Sequence, residues 1–350
     1  MVNLKNSQYN VEIGSILEGS FSQLLQKKYA DVRKVIIVDE NTQKHCLDYV
    51  ITQFEVLSNA EIIVIPPGET SKEMGVCMQV WESLSEYKIN RNDVIINIGG
   101  GMITDLGGFI AALYKRGIDF INVPTSLLAM VDASVGGKTG IDLNGYKNQI
   151  GCFANPQLIV CDPIFLRTLP DEEFYAGKAE ILKHGLIDSK VSWDQFKEIL
   201  PENLSEELLF KAVAVKNKIV LEDPKEKGNR KKLNLGHTIG HALEGYFLNT
   251  SPKPHGYFVA WGLLTEADLA HKENVLNNKH FYEIEQVIKK NYSPLKLEEE
   301  AYEKIYQLMI NDKKNEGSTI NFNLIKGIGD IEINHTFDKN QIFSSLKRIF

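Results

Sequence analysis

The residues best suited to chemistry are three histidines within residues 234–256, a segment that predicts a helix followed by a loop. They are His237, His241 and His255. His237 and His241 are four residues apart, so on a helix they share one face, as in many metal sites. Two histidines at this spacing, without a further ligand, more often belong to an ordinary surface or core helix. The metal hypothesis therefore depends on what the rest of the chain supplies.

A second predicted helix, AGKAEILKHGLI, carries Glu180, Lys183 and His184 at positions i, i+3 and i+4. From spacing alone, Glu180 with His184 is a metal-pair candidate, as is His237 with His241. Cations also occur in separate segments, and each alone is expected to be a solvated surface charge. Together they would fit an anionic small substrate; they are Lys138, Lys183, Lys216, Arg230, Lys313 and Lys314.

A glycine-rich turn, GGGMITDLGGF, follows a predicted strand and opens a predicted helix. Backbone N–H groups at such a turn can approach a pyrophosphate, although the spacing is not G-x-G-x-x-G and glycine turns are common. Asp39 follows an earlier strand, where an acid would contact a ribose hydroxyl, but it is also an ordinary turn residue. Glu69 and Lys72 equally fit a helix start with Ser71 as its cap.

The segment GGKTG, with Gly136, Gly137 and Lys138, resembles part of a phosphate-binding loop. The first glycine of that motif is missing, and the preceding SLLAMVDASV is a poor strand for such a loop. The motif is therefore rejected.

The elements that must position these residues follow from apolar runs. Buried strands are predicted at 34–40, 61–67, 93–100 and 119–125, with a helix carrying Cys77, Val80, Trp81 and Leu84 between the second and third. This alternation predicts a largely parallel sheet with helices on both faces. From Glu172 onward helical periodicity dominates, so a domain boundary is expected near Pro170. The fold class is an α/β nucleotide-binding domain (1–170) followed by an all-α domain (171–350).

Composition narrows the function. The 350 residues carry a net charge of −7, which gives no support to nucleic-acid binding. The four cysteines, Cys46, Cys77, Cys152 and Cys161, form no C-x-x-C pair and fit buried thiols in a reducing cytoplasm. There is no secretory signal and no apolar run of about 18 residues, so a cytoplasmic protein outside the membrane is expected.

Six motifs occur along the chain in the order GGGMITDLGGF, YKRGIDFINVPTSLLAMVDASVGGKTGID, KNQIG, AEILKHGLI, LNLGHTIGHALE and PHG. Together they resemble the 3-dehydroquinate synthases of the shikimate pathway, from about residue 34 to the DKK at 312–314. The block VPTSLLAMVDASVGGKTG is typical of sugar-phosphate cyclases as a superfamily. The resemblance implies an N-terminal nucleotide-binding domain, a helical C-terminal domain and an active site in the cleft between them.

The resemblance also implies roles for individual residues. Zinc, or cobalt in the same site, would be bound by Glu180, His237 and His255, with His241 as a substrate contact and His184 as a packing residue or ligand neighbour. Lys216 and Arg230 would bind the substrate carboxylate, and Lys138, Asn148, His241 and either Lys313 or Lys314 its phosphate. Asp132, Lys183 and Asn234 would bind hydroxyls near the metal. Catalytic roles are expected for Asp132, Lys138, Asn148, Lys183 and His241. Arg116 would reach the phosphate from a neighbouring subunit, which predicts a homodimer.

The NAD-binding residues implied in the same way are Asp39, Glu69, Lys72, Gly100, Gly101, Met102, Asp105, Thr125, Ser126, Lys138, Lys147, Phe165 and Thr168. The implied reaction converts 3-deoxy-arabino-heptulosonate 7-phosphate to 3-dehydroquinate and phosphate. It proceeds through transient oxidation by NAD, phosphate elimination, re-reduction and an intramolecular aldol closure. NAD is therefore not consumed.

Three positions depart from the family pattern. Tyr257 replaces an acid that commonly follows the last zinc histidine, which could alter the orientation of His255. Thr104 and Ser126 are small polar replacements that should leave NAD binding intact. The alternatives are a related cyclase, whose substrate lacks the carboxylate, an NAD- and metal-dependent polyol or glycerol-phosphate dehydrogenase, and a non-catalytic relative. The Lys216 and Arg230 pair and the filled zinc positions argue against them.

Overall fold

The computed structural model of the protein describes residues 1–5, 9–143, 146–248, 250–298, 300–310 and 320–349. They form two compact units, Met1–Pro170 and Asp171–Phe350. Within the described residues, no helix has both the length and the apolar character needed to cross a membrane.

A seven-stranded sheet forms the centre of the first unit. Its strands, in spatial order, are β1 (Val2–Lys5), β2 (Asn10–Ile13), β9 (Leu158–Cys161), β6 (Asp119–Pro124), β5 (Val94–Gly99), β3 (Lys34–Asp39) and β4 (Glu61–Ile65). All neighbouring strands are parallel except β1 and β2, which confirms the predicted, largely parallel sheet. The four predicted strands are thus β3, β4, β5 and β6, while β1, β2 and β9 were not predicted.

Helices of the first unit connect these strands: α1 (Ser20–Lys27), α2 (Glu40–Thr42), α3 (Asp48–Gln53), α4 (Met74–Glu86) and α5 (Gly101–Leu113). The apolar faces of α4 and α5 share one core with alternate residues of the sheet, such as Val35, Ile37 and Ile95. Because β3 lies between β4 and β5, the chain passes from β3 to β4 on one side of β3 and then crosses to β5 on its other side. Open α/β sheets bind ligands beside the carboxyl ends of strands at such a reversal.

A pair of antiparallel strands, β7 (Lys138–Leu143) and β8 (Tyr146–Phe153), adds to the first unit and was not predicted. Lys138 is the first residue of β7, so the GGKTG segment leads into a strand. A phosphate-binding loop leads into a helix, and the structure therefore agrees with rejecting that motif. Gly140 and Gly151 allow the close approach of the pair, since an added Cβ would lie 2.7 Å from Ile150 O and 2.4 Å from Thr139 O, respectively.

The second unit is mainly helical, as predicted. Its helices are α6 (Asp171–Asp188), α7 (Lys190–Phe196), α8 (Glu206–Glu222), α9 (His237–Phe247), α10 (His255–Lys272), α11 (Asn278–Asn291), α12 (Ala301–Ile310) and α13 (Lys339–Leu346). The description of this unit as all-α needs one correction, because β10 (Phe322–Gly327) and β11 (Asp330–His335) form an antiparallel hairpin. A two-residue turn with Gly329 at φ 89° joins the two short strands, and a glycine in such a turn is the sequence feature that could have predicted this hairpin.

Candidate functional site

Three helices of the second unit bring Glu180, His237 and His255 together. Glu180 lies in the middle of α6, whereas His237 and His255 are the first residues of α9 and α10. His255 had been predicted to lie in a loop, but it begins a helix. The Nε2 atoms of His237 and His255 lie 3.6 and 3.7 Å from Glu180 Oε1.

The donor set fits a metal ion. Two nitrogen or oxygen ligands of one tetrahedral zinc lie about 3.3 Å apart, close to these separations. Glu180 is fully buried, and its Oε1 accepts no hydrogen bond from the described residues. A buried carboxylate oxygen without a donor is unfavourable unless a cation compensates it. Its Oε2 forms an ion pair with Lys183, which leaves Oε1 facing the two imidazoles.

Both histidines are held through their second ring nitrogen. His237 Nδ1 lies 3.1 Å from Leu235 O, and His255 Nδ1 lies 3.0 Å from Glu244 Oε2. A donating Nδ1–H leaves Nε2 with its lone pair available for a metal. No motif in the sequence pointed to Glu244 as this partner of His255. The effect of Tyr257 on His255 stays a prediction.

His241 provides a competing donor set. Its ring centroid lies 5.2 Å from that of His237 and 5.6 Å from that of His255, and the donor atoms of the three histidines lie within 4.8 Å of one another. The uncompensated oxygen of Glu180 favours the carboxylate as the third ligand. His184 is fully buried with Nδ1 3.1 Å from Ala212 O, which supports a packing role.

Glycines set the close packing of these helices. A Cβ on Gly256 would lie 2.0 Å from Ala176 O, one turn before Glu180 on α6. A Cβ on Gly262 would lie 1.9 Å from Gly236 O, next to His237. The backbone of α10 therefore contacts that of α6 next to His255 and the residue before α9, and no larger residue at Gly256 or Gly262 permits these contacts.

The predicted cations of the second unit are buried rather than solvated. Lys183, Lys216 and Arg230 are 1%, 6% and 2% exposed. Arg230 donates to Pro224 O at 2.7 Å, and Asn234 Nδ2 donates to Glu226 Oε1 at 2.6 Å. Glu226, with a φ of 57°, is a further residue that the sequence analysis missed. Lys313 and Lys314 lie outside the described residues.

In the first unit, a polar cluster unites five predicted site residues. Lys72 is 3% exposed, and its Nζ lies 2.7 Å from Asp105 Oδ2, 2.6 Å from Asn148 Oδ1 and 3.6 Å from Glu69. Lys147 Nζ lies 3.5 Å from Glu69. Burial by itself lowers the pKa of Lys72, but Asp105 and Glu69 raise that pKa above its usual value overall. The lysine therefore remains charged.

The alternative explanation of Glu69 and Lys72 as a helix start is wrong in detail. Ser71 ends a short 3-10 turn, and α4 begins at Met74 with Glu73 as its N-cap residue. Among the described residues, the Glu73 side chain accepts no capping hydrogen bond from that helix.

Other predicted NAD residues lie at the carboxyl ends of β3, β5 and β6. Gly100 is the N-cap residue of α5, so Gly101 and Met102 belong to a first turn whose N–H groups lack partners within the helix. Thr125 and Ser126 follow β6, and the Thr125 N–H donates a hydrogen bond to Gly99 O at 3.0 Å. Asp39 ends β3 and caps α2, where its Oδ1 accepts from Thr42 N–H at 2.7 Å.

The remaining residues of the first unit are more dispersed. Asp132 is half-buried and lies in a π-helical turn. The next residue, Ala133, lies close to Gly101, where an added Cβ would be 3.2 Å from the Ala133 Cβ. Lys138 and Arg116 are exposed. Phe165 is buried against Tyr49, with ring centroids 5.9 Å apart, and Thr168 is exposed at the end of the same 3-10 helix.

Two family models match the chain. The model for the N-terminal part of 3-dehydroquinate synthase matches residues 62–176, and the model for its C-terminal part matches residues 177–315. A 3-dehydroquinate synthase of Parabacteroides distasonis is 41% identical over 345 residues, covering 97% of each chain. One from Helicobacter pylori is 35% identical over 353 residues, covering 99% of this chain and 98% of the other.

Solved structures show the same fold at lower identity. A 2-deoxy-scyllo-inosose synthase complexed with carbaglucose-6-phosphate, NAD+ and Co2+ has a TM-score of 0.82 at 22% identity, covering 97% of this chain and 96% of the other. A 2-epi-5-epi-valiolone synthase from Streptomyces hygroscopicus with NAD+ and Zn2+ bound has a TM-score of 0.81 at 22% identity, covering 100% and 98%. With both family models matched in order and full-length relatives above 30% identity, this chain belongs to the 3-dehydroquinate synthase family.

Proposed function

We propose that the protein is a 3-dehydroquinate synthase, which converts 3-deoxy-arabino-heptulosonate 7-phosphate to 3-dehydroquinate and phosphate. The observation that carries the proposal is the convergence of His237 and His255 on the buried Glu180 oxygen, in a chain 41% identical to a 3-dehydroquinate synthase. Three protein ligands leave a position open for substrate, as a catalytic zinc site requires.

The cofactors are NAD in the first unit and zinc or cobalt in the second. When bound, NAD supplies a reversible hydride acceptor and the metal a Lewis acid for the substrate hydroxyl. The N–H groups of Gly101 and Met102 would bind the pyrophosphate, with Thr125 and Ser126 beside them and Asp39 at the ribose. The Lys72 cluster, with Phe165 and Thr168, would complete the NAD contacts.

The buried cations of the second unit supply the substrate contacts. Lys216 and Arg230 would bind the carboxylate, because a buried planar guanidinium offers paired donors and has little competing water. Lys183 and Asn234 would bind hydroxyls next to the metal, and His241 the phosphate. Of the first unit, Asp132 would bind a hydroxyl, and Lys138 and Asn148 the phosphate. The residues act mainly by positioning and electrostatic stabilisation.

One assay tests the reaction directly. The purified chain is incubated with NAD, zinc and the heptulosonate phosphate while phosphate release and NADH absorbance are followed together. Phosphate release without net NADH supports the proposal, since NAD is regenerated in each turnover. Net NADH without phosphate would identify a dehydrogenase. The absence of both phosphate release and NADH would identify a non-catalytic relative.

Lys72 is expected to be important for NAD affinity. Replacing it with methionine removes the charge that orders Asp105 and Asn148 and leaves the Asp105 carboxylate without this cation. Hydrogen bonds to charged groups contribute about 1.5–3 kcal/mol, so NAD should bind roughly 10- to 100-fold more weakly. Isothermal titration calorimetry measures this change.

Lys34→Met is the matched control, because Lys34 is also buried and donates to Ala30 O and Val32 O at the start of β3, the opposite end of that strand from Asp39. Its NAD affinity should equal that of the unmodified chain. The pKa of Lys72 is higher in the folded than in the unfolded chain. The charged Lys72 therefore contributes to stability below the unfolded pKa of 10.5, and this contribution is lost only as the pH rises through the folded pKa. Because Lys72 stays charged over this range, a loss of NAD affinity below pH 9 that disappears in the Lys72→Met variant would contradict this role.

We also propose a homodimer that buries a groove of the first unit. This groove of about 800 Å³ is lined by Leu113, Phe153, Lys28, Arg91 and Asp119, among others. Leu113 and Phe153 are 47% and 56% exposed, an unusual exposure for large apolar side chains. The exposed Arg116 lies in the adjoining turn with φ 69°, and such strain is characteristic of functional sites.

Phe153→Asp is expected to give monomers, because a carboxylate would have to be buried in the interface. Size-exclusion chromatography with light scattering should give twice the 39.5 kDa chain mass for the unmodified protein and a single chain mass for the variant. Val191→Asp, at a valine that is 69% exposed on α7, is the matched control and should leave the mass unchanged. A monomeric unmodified protein with full activity contradicts the proposal.

We place the protein in the cytoplasm. Its four cysteines are free, and burial raises the pKa of Cys46 and of Cys77 to about 12, so that both remain unreactive thiols. Free buried thiols are typical of proteins that fold in a reducing compartment.

A further inference from the structure

The helix α9 carries three chemically active side chains along one face. His237, His241 and Glu244 occupy positions i, i+4 and i+7, a spacing that keeps them in line on a helix. Glu244 is 7% exposed, and its Oε2 lies 3.0 Å from Nδ1 of His255 on α10. One helix therefore provides both a candidate metal ligand and the anionic acceptor for a second ligand.

The two candidate imidazole ligands are held by unlike acceptors. His237 Nδ1 contacts the neutral carbonyl of Leu235 in the same segment, whereas His255 Nδ1 contacts the carboxylate of Glu244 on another helix. A hydrogen bond to a carboxylate is stronger than one to a carbonyl, and it fixes the tautomer while making the other ring nitrogen a better donor. The His255 side chain is also the more exposed of the two.

Position 257 does not supply this carboxylate. Tyr257 packs edge-on against Tyr292, with ring centroids 5.3 Å apart, and Lys253 lies over its ring. We propose that Glu244 is the positioning residue of the metal centre, whose negative charge holds His255 with Nδ1–H outward and Nε2 directed at the ion shared with Glu180. This inference rests on the metal centre proposed above.

The test measures zinc affinity of the full chain by competition with a chromophoric chelator, together with the visible spectrum of the cobalt-loaded protein. Loss of such an outer partner typically weakens metal binding about 10- to 100-fold. Glu244→Ala should therefore weaken zinc binding about 100-fold and shift the cobalt bands. Glu244→Gln keeps the shape and one acceptor oxygen without charge, and it should weaken binding about tenfold.

Thr238→Val is the matched control on the same helix, because it removes a hydrogen bond to Asn321 O that involves no histidine. It should bind zinc as the unmodified chain does. Unchanged affinity and an unchanged cobalt spectrum in Glu244→Gln overturn the role of the charge, even if Glu244→Ala fails to fold. An unmodified chain that binds no zinc instead overturns the metal centre itself.

Discussion

Glu180→Gln is expected to abolish stoichiometric zinc binding and most of the activity. The variant replaces the only anionic donor among the three candidate ligands and removes the negative charge that pairs with Lys183, which is 1% exposed. A metal acting as Lewis acid contributes several kcal/mol of transition-state stabilisation. Losing about 3–4 kcal/mol corresponds to a roughly 10²- to 10³-fold lower kcat.

Metal content by mass spectrometry and phosphate release measure the two effects separately. Glu207→Gln is the matched control, because Glu207 is an exposed carboxylate of the same unit that forms an ion pair with Lys211 on α8. Normal zinc content in Glu180→Gln would show that the ion uses His237, His241 and His255 instead. In that case His241→Ala should remove the metal.

Features that depend on the local spacing of residues could be predicted from the sequence. The predicted strands at 34–40 and 93–100 match β3 and β5, because continuous apolar runs are characteristic of strands buried on both faces. The histidine pair of α9 was also visible from its four-residue spacing. The glycine turn was visible, although only packing shows why Gly99 is required, since an added Cβ would lie 2.5 Å from Ile103.

Features that depend on tertiary structure could not be predicted in the same way. Spacing alone paired Glu180 with His184, whose donor atoms do lie within 4.8 Å of each other, but it could not show that the fold also brings Glu180 to histidines on two other helices. Lys216 and Arg230 looked like surface charges individually, and their burial depends on the neighbouring segments. Glu226 and Glu244 belong to no recognisable sequence motif, because only folding brings them into contact with Asn234 and His255.

Gly256→Ala is expected to destabilise the second unit and weaken zinc binding together. The added methyl would lie 2.0 Å from Ala176 O, so α10 must move away from α6 at the residue next to His255. Overpacking of this kind costs about 1–3 kcal/mol. For a unit of this size, each kcal/mol lowers Tm by about 2–4 °C. The same displacement lengthens the separation of His255 and Glu180.

Gly245→Ala separates this steric effect from the general effect of replacing glycine. Gly245 is exposed on α9, and its added Cβ would meet only Leu308 at 3.6 Å, an ordinary contact. Alanine should therefore stabilise the helix by about 1 kcal/mol and raise Tm. Calorimetry and chelator competition on both variants give the comparison. If Gly256→Ala also raised Tm and kept full zinc affinity, backbone contact between α6 and α10 would not determine the position of His255.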